Sequence, residues 1–381
     1  MSSTLHHDND KALLHSWQEE QHSIASQVVV PQYSAAHQAI ITQTSERYAQ
    51  LSSYNNNGQT TGKKNYLLIG GVDVSFPGDE SNEDAVAVYV ILKYATTNSS
   101  SGNDHSNGIL LSSPHQPEVI YRSHKYYKLT TPYIPSYLAF REIDPLLELI
   151  TQQCERKPHL TPNVILVDGN GQWHDRYAGL ACFVGVKSGI PTVGVGKTFY
   201  SLDNEMKKSD VLRDVKLSVQ CWCDAHCKHE GLLSTKSVDE GCRSSVIVVD
   251  HESIRYSTKM EEAEQQSTNV TAYEDMLIKL HQVCGGLAIP MRSGKNQNDT
   301  VLAYALVGHG GNDSTNNGSS NNKKKNEHSR GSKNPIYISC GSHISLLDAV
   351  YLVACTSIVR IPEPIREADL HGRQLLRDQK N

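Results

Sequence analysis

Residues 163–176 read NVILVDGNGQWHDR: an apolar run ends in a carboxylate, Asp168, and a Gly-Asn-Gly turn follows, then the imidazole of His174 and the guanidinium of Arg176. A strand written this way delivers an acid to its C-terminal edge. Gly169 and Gly171 let the backbone turn sharply there and leave room for a ligand. In open α/β sheets, ligands bind at that end of the strands, and these groups suit a metal and a phosphate. A second acid, Asp73, lies inside the apolar strand GGVDVSF at 70–76. Alternation puts Gly71, Asp73 and Ser75 on one face and Val72, Val74 and Phe76 on the other. A third, Glu142, shares a helix face with Leu138, Leu146 and Leu149. Burying a lone carboxylate is costly unless it is paired or binds a metal. Two acids from neighbouring strands and one from a helix could hold one or two Mg²⁺ ions, hard cations that prefer oxygen. Such a site aligns a water and stabilises the leaving oxygen of a phosphodiester. Each acid also has a plainer reading: Asp73 and Asp168 could cap the element that follows, and Glu142 could be a solvated helix residue.

His174 and Lys197 are candidates for phosphate contact or proton handling, or are surface residues. Tyr133 sits in a loop stiffened by Pro132 and Pro135. It could stack on or wedge beside a base, since aromatic stacking tolerates any base, or it could be a packing tyrosine. Cys221, Cys223, Cys227 and Cys242, with His226 and His229, invite a zinc reading, although the C-x-C-x₃-C spacing departs from the usual fingers.

The elements that must position these groups follow from the apolar pattern. Residues 1–10 read as a disordered tail, and 11–30 as an amphipathic helix with Leu13, Leu14 and Trp17 at helical spacing. Residues 31–62 are polar and end in low-complexity sequence. A hairpin over 65–94 and a strand at 118–129 form a meander, with a low-complexity insertion at 95–116. A helix runs to about 157, and a strand ends at Asp168. A short helix at 177–189 and a strand at 190–197 come next. Residues 201–298 are the least legible part. A strand at 299–309, an insertion at 311–334, a strand at 335–340, a helix at 344–357 and the segment 360–373 close the chain. Strands that alternate with helices are expected to be parallel, so the chain reads as a mixed sheet covered by helices, an α/β fold.

The chain has 381 residues and a formal net charge of -5, which excludes a global basic signature; a nucleic-acid partner would need a local basic surface. Nine cysteines, a polar start and no apolar run of membrane-spanning length are read as a reducing-compartment protein with free thiols. Cytoplasm and nucleus, including the nucleolus, are the expected locations.

The sequence resembles the endonuclease V family, nucleases that act at inosine, the product of adenine deamination. The resemblance rests on GGVDVSF (70–76), PYIPSYLAFRE (132–142), VILVDGNGQWHDRYAGLACFVGV (164–186), PTVGVGK (191–197), TVLAYALV (300–307), IYISCG (336–341) and RIPEPIREADLHGR (360–373), in that order, with WQEEQ in the first helix. It implies one catalytic domain over 11–373, interrupted by the insertions, and a polar end at 374–381. It also implies a ribonuclease H-like fold, a five-stranded mixed sheet with helices on both sides. The implied reaction is hydrolysis of the second phosphodiester 3′ to inosine, leaving a 3′-hydroxyl and a 5′-phosphate, with Mg²⁺ or Mn²⁺. Carried over, Asp73, Glu142 and Asp168 match the metal ligands, and Tyr133 the wedge, flanked by Pro132 and Ile134. His174 and Lys197 match the family's basic site residues. Gly169 and Gly171 mark where the flipped-out base would approach the backbone.

Two departures stand out. Ser136 replaces the glycine that ends the wedge motif. In the late Ser-x-Gly-His motif, Ser342 takes the histidine's place and His343 comes one residue late; His343 is kept as a site residue. Animal members act mainly on RNA and bacterial-type members on DNA, in repair. The Asn- and Ser-rich insertions suggest a eukaryotic chain, which leans towards single-stranded RNA. A monomer bound to inosine-containing single-stranded RNA or DNA, away from membranes, is expected. The alternative is an inosine-RNA binding module on the same fold with weak or no cleavage.

Overall fold

The computed structural model describes residues 2–31, 66–77, 83–98, 109–111, 117–202, 207–229, 246–249, 286–293, 300–310 and 332–379. In chain order the elements are α1 (Ser2–Gln27), β1 (Tyr66–Ser75), β2 (Asp84–Asn98), β3 (Ile109–Leu111), β4 (Glu118–Lys128), α2 (Ala139–Arg156), β5 (Val164–Asp168), α3 (Leu180–Ser188) and β6 (Thr192–Gly196). Then come α4 (Lys208–His229), β7 (Ile247–Val248), β8 (Leu287–Arg292), β9 (Val301–Val307), β10 (Ile336–Ser342), α5 (Leu346–Thr356) and α6 (Glu363–Asp378). They form two compact units. The first holds Met1–Gly196, Ser339–Leu346 and Pro364–Asn381; the second holds Lys197–Ile338 and Leu347–Glu363.

In the first unit the strand order is β3-β2-β1-β5-β6 and then the end of β10, with β4 also on β2. β1 and β2 are antiparallel, β2 and β4 likewise, while β1-β5 and β5-β6 are parallel. The mixed α/β sheet is therefore as expected, and so is the meander that leads into parallel strands. It is larger than the five strands anticipated. The meander strands are longer than the apolar runs: β2 continues to Asn98 and its last residues pair with β3, inside the stretch assigned to an insertion. Sequence pattern stops where burial stops, but backbone pairing does not.

One face of this sheet carries the core. Leu68 and Val72 of β1, Tyr89 and Ile91 of β2, and Ile165 and Val167 of β5 pack against Leu146, Leu149 and Ile150 of α2 and Phe183 of α3. Each such side chain contributes about 1.5–3 kcal/mol by leaving water. α3 is apolar nearly all round (LACFVGV), as a helix buried on every side must be. It ends at Gly189, whose left-handed φ of 69° suits a glycine cap. α6 covers the opposite face. A Cβ on Gly71 would lie 2.1 Å from the Pro364 carbonyl oxygen, and one on Gly372 2.4 Å from the Ser75 hydroxyl.

α1 begins at Ser2, earlier than the anticipated boundary at residue 11. Its inward stripe is the expected one only in part. Leu13 is exposed, whereas Gln21 and Ile24 are buried and Trp17 stacks on Phe140 of α2 at 4.9 Å. The second unit has the order β10-β9-β8-β7, with β8-β9 antiparallel, and α4 packs on β8 and β9. Cys221, Cys223 and Cys227 fall on α4. Of these only the side chain of Cys221 is among the described ones, so the zinc reading lies outside them. Cys242 lies outside the described residues. Among the described residues, Cys154, Cys182, Cys221, Cys340 and Cys355 are in no disulfide. Among the described residues no helix is long and apolar enough to cross a membrane.

Candidate active site

The register of β1 on β5 decides where the two strand acids go. Ile69 pairs with Val164, and the pairing runs to Val72 and Val167. One step further along both strands stand Asp73 and Asp168. Residues opposite each other on neighbouring strands share a face, so both carboxylates lie on the face opposite α2 and α3, at the C-terminal ends of parallel strands. Asp73 is buried, and the Ser75 hydroxyl donates to its Oδ2 at 3.1 Å. That bond realises the predicted Gly71, Asp73, Ser75 face. Asp168 is half-buried.

Glu142 lies in the first turn of α2 and is buried with Leu146 and Leu149. Burial, and after it the charge of Asp168, push its carboxyl up to about 8, with Arg141 opposing. Nearby, Tyr127 is held well above its ordinary range by burial and then by Glu142. Pro145 interrupts α2 and cannot donate to the Arg141 carbonyl one turn back; the Tyr127 hydroxyl lies 3.4 Å from that oxygen. Among the described residues no three His, Cys, Asp or Glu side chains stand together as a ready metal cluster. The coupled pair Glu142 and Asp168 nonetheless offers hard oxygen donors whose mutual repulsion a divalent cation would offset. Mg²⁺ is commonly held by only one or two carboxylates, completed by water and substrate phosphate. The donor chemistry fits such an ion.

The turn after Asp168 is fixed by the protein's own backbone. Gly169 has a φ of 148°, a conformation reserved for glycine. The Gly171 amide donates to the Ser339 hydroxyl at 2.8 Å, and the Gln172 amide to the Cys340 carbonyl at 2.8 Å. On the other side, Gly179 and Ala181 donate to the Gly171 and Asn170 carbonyls. A Cβ at residue 171 would lie 2.1 Å from the Cys340 oxygen. The bare backbone of Gly171 thus serves the close approach of β10.

His174 is buried, and its imidazole is engaged at both nitrogens. Nε2 lies 3.0 Å from the Ser136 carbonyl, and Nδ1 accepts the Arg176 amide at 3.3 Å. Those partners define the neutral Nε2–H tautomer. Burial, then the Arg176 charge, lower its pKa to about 4, against the pull of Asp175 and the Ser136 carbonyl. Its folded value lies below the unfolded one of about 6.5, so the neutral ring's contribution to stability is complete above about pH 6.5 and is lost as pH falls towards 4. The gap amounts to on the order of 3 kcal/mol. The melting temperature of a His174→Gln chain should therefore fall less steeply than the parent's between pH 6.5 and 4; parallel curves would refute the assignment.

Ser136 is where the wedge loop departs from glycine, and it takes the conformation glycine would take, with φ 69°. Strain of this kind costs on the order of 1 kcal/mol or more. Around it stands a network that no sequence pattern announced. The Ser136 carbonyl accepts from Gln21 Nε2 at 2.8 Å, from Arg176 Nη2 at 3.0 Å and from His174, while its hydroxyl donates to Asp175 Oδ2 at 2.7 Å. Arg176 Nε also donates to Gln21 Oε1, and its guanidinium lies 4.4 Å from the centre of the Tyr137 ring. The one available signal was a polar Gln21 between Trp17 and Ile24 on the inner stripe of α1. In the loop itself Pro132 and Tyr133 are exposed, Tyr133 to 66%, and Ile134 is half-buried.

β10 ends at Ser342, so His343 lies in the turn after the strand, with φ 60°. The one-residue slip therefore falls on a loop and does not flip a strand side chain. Ser342 is buried, its hydroxyl accepts the Val29 amide at 3.1 Å, and the His343 amide donates to the Val29 carbonyl at 2.6 Å. Lys197 directly follows β6 in the second unit. It is half-buried, and its carbonyl accepts from Arg360 Nη2 at 2.5 Å. Arg360 also donates to the carbonyls of Asn334 and Pro335.

Comparison with known proteins agrees with this fold. Residues 97–230 and 320–370 match the family described as Endonuclease V. Tyr133, Glu142, Asp168, His174, Lys197 and His343 fall in the matched segments, and Asp73 outside them. The chain is 28% identical to human endonuclease V over 309 residues, 81% of this chain and 71% of that protein. The crystal structure of the catalytic domain of human endonuclease V superposes with a TM-score of 0.55 at 25% identity, covering 97% of this chain and 98% of that one. Endonuclease V of Ciona intestinalis, solved with a 24mer DNA containing an inosine followed by a ribo-adenosine, has a TM-score of 0.52 at 21% identity, covering 96% and 99%. The fold is the ribonuclease H-like one of endonuclease V structures, and the likeness is to endonucleases. The chain is similar to the endonuclease V family over these segments and along most of the human relative.

Proposed function

We propose that this chain hydrolyses the second phosphodiester 3′ to inosine in single-stranded nucleic acid, RNA before DNA, leaving a 3′-hydroxyl and a 5′-phosphate. The observation that carries the reading is the register that brings Asp73 and Asp168 to one face, with the Glu142 carboxyl coupled to Asp168. The human relative and the Ciona complex with inosine-containing DNA support the substrate class. Asp73, Glu142 and Asp168 would hold Mg²⁺, or Mn²⁺ in its place, which supplies charge stabilisation at the phosphate and an activated water. Ser75 holds the Asp73 carboxylate, and the fixed turn holds Asp168. Neutral His174 ties the turn to the wedge loop through Ser136. Lys197 is the cation for phosphate contact, and His343 approaches from the turn after β10. The protein acts as a monomer in the cytoplasm or nucleus.

Matched RNA and DNA 20-mers with one inosine, and adenosine controls, test this with Mg²⁺. Cleavage confined to the inosine strands, faster in RNA, is expected; equal cutting of adenosine strands would overturn it. Because the Tyr133 ring is exposed, Tyr133→Ala should leave the melting temperature unchanged. It should lower cleavage roughly tenfold or more, the value of one stacked base. A second reading, inosine binding without efficient cleavage, is favoured by Ser342 in the place of the family histidine; tight binding without turnover in Mg²⁺ or Mn²⁺ would establish it.

A further inference from the structure

Gln21 is completely buried on α1, distant in sequence from every residue assigned a role above. Its amide is used at both ends: Nε2 donates to the Ser136 carbonyl, and Oε1 accepts from Arg176 Nε. Arg176 in turn donates to the same Ser136 carbonyl. The carbonyl so held belongs to a serine in the left-handed region, three residues after Tyr133. A left-handed serine tends to relax to a right-handed or extended backbone, and a rotation of that peptide would re-aim the segment carrying Tyr133. Three donors directed at one carbonyl oppose that rotation, because each bond is lost when the peptide turns. Glycine at this position would need no such restraint, since it takes positive φ without penalty.

We propose that Gln21 is a positioning residue. Through the Ser136 carbonyl and Arg176 it holds the wedge loop in the conformation that presents Tyr133, and it offsets the strain of a serine where glycine would take the conformation without penalty. α1 is thus part of the substrate-engaging apparatus without touching substrate. The inference rests on the proposed wedge role of Tyr133, and its test separates the two.

The test is a double-mutant comparison. Gln21→Ala should lower kcat/KM on a single-inosine RNA about tenfold, mainly through a higher KM. Added to a chain that already carries Ser136→Gly, the same substitution should cost less than about threefold. A general packing defect at Gln21 would cost the same in both backgrounds, and that result overturns the proposal. Gln21→Met keeps the side-chain volume and should behave like Gln21→Ala; it serves if the alanine chain folds poorly. A second readout needs no activity. Chymotrypsin should nick the native chain after Tyr133 faster when Gln21 is replaced, and Ser136→Gly should restore the parent rate. Unchanged nicking in the single variants removes the clamp. Faster nicking in a protein that does not cleave inosine strands keeps the clamp and removes the wedge reading.

Discussion

Asp168→Asn should lose cleavage by at least about 10²-fold, the scale on which a preorganised charge at a phosphoryl centre acts, and should at the same time melt higher than the parent in metal-free buffer at pH 8. Both effects come from one charge. Asp168 is the charge that, after burial, raises the Glu142 carboxyl from 4.5 to about 8. That rise, 8 − 4.5, is worth on the order of 5 kcal/mol, and burial is the larger share, so removing the Asp168 charge returns about 2 kcal/mol or less. Glu142 has a folded value above its unfolded one. Its contribution to stability is therefore complete below about pH 4.5 and is lost as pH rises through 8. The two proteins should melt together at pH 4.5 and diverge with the variant higher at pH 8. A parent that melts at or above the variant at pH 8 would show that the two carboxyls do not interact; retained cleavage would remove Asp168 from the site.

Gly171→Ala is expected to lower the melting temperature by roughly 5 °C or more. The new Cβ meets the backbone carbonyl of Cys340 at 2.1 Å and its carbon at 2.5 Å, and neither can swing aside as a side-chain tip would. Overpacking of this kind costs about 1–3 kcal/mol, at a few degrees per kcal/mol for a chain of this size. Cleavage should fall too, because the turn carries Asp168. If the bare backbone of Gly171 served only to admit a base, the variant would melt with the parent and lose only substrate affinity. Thermal melts without substrate separate the two.

The fold was legible where burial is continuous. β1, β5, β6 and β9 are apolar runs ended by glycine, acid or polar residues, and their assignment follows from period and length. The acids were legible because Asp73 and Asp168 interrupt such runs. What stayed hidden lacks that contrast. β7 has two residues, too few for any period. β8 carries Pro290 within the strand, which argues against a strand on sequence grounds. The wedge network joins Gln21, Ser136 and Arg176 across more than a hundred residues of chain, and each is an ordinary polar residue until the fold brings them together. Leu13 and Trp17 drew attention on α1 as the apolar residues, yet the buried position that ties the helix to the loop is a glutamine. His343 illustrates the same limit: whether a one-residue slip matters depended on where β10 ends, and strand ends are set by pairing partners.

The turn at Gly169–Gly171 has a further consequence, on the scale of motion. Its amides and carbonyls bond to β6, to β10 and to the start of α3. No single segment can peel away and free it. Exchange of the Gly171 and Ala181 amides with solvent deuterium then requires opening on the scale of the whole unit, the slowest class of opening a protein shows. The Tyr137 amide donates to the Ile134 carbonyl within the wedge loop, which Gln21, His174 and Arg176 anchor through the Ser136 carbonyl. Asp168 is therefore mounted on a turn expected to stay closed until its whole unit opens, which slow exchange of the Gly171 and Ala181 amides would show.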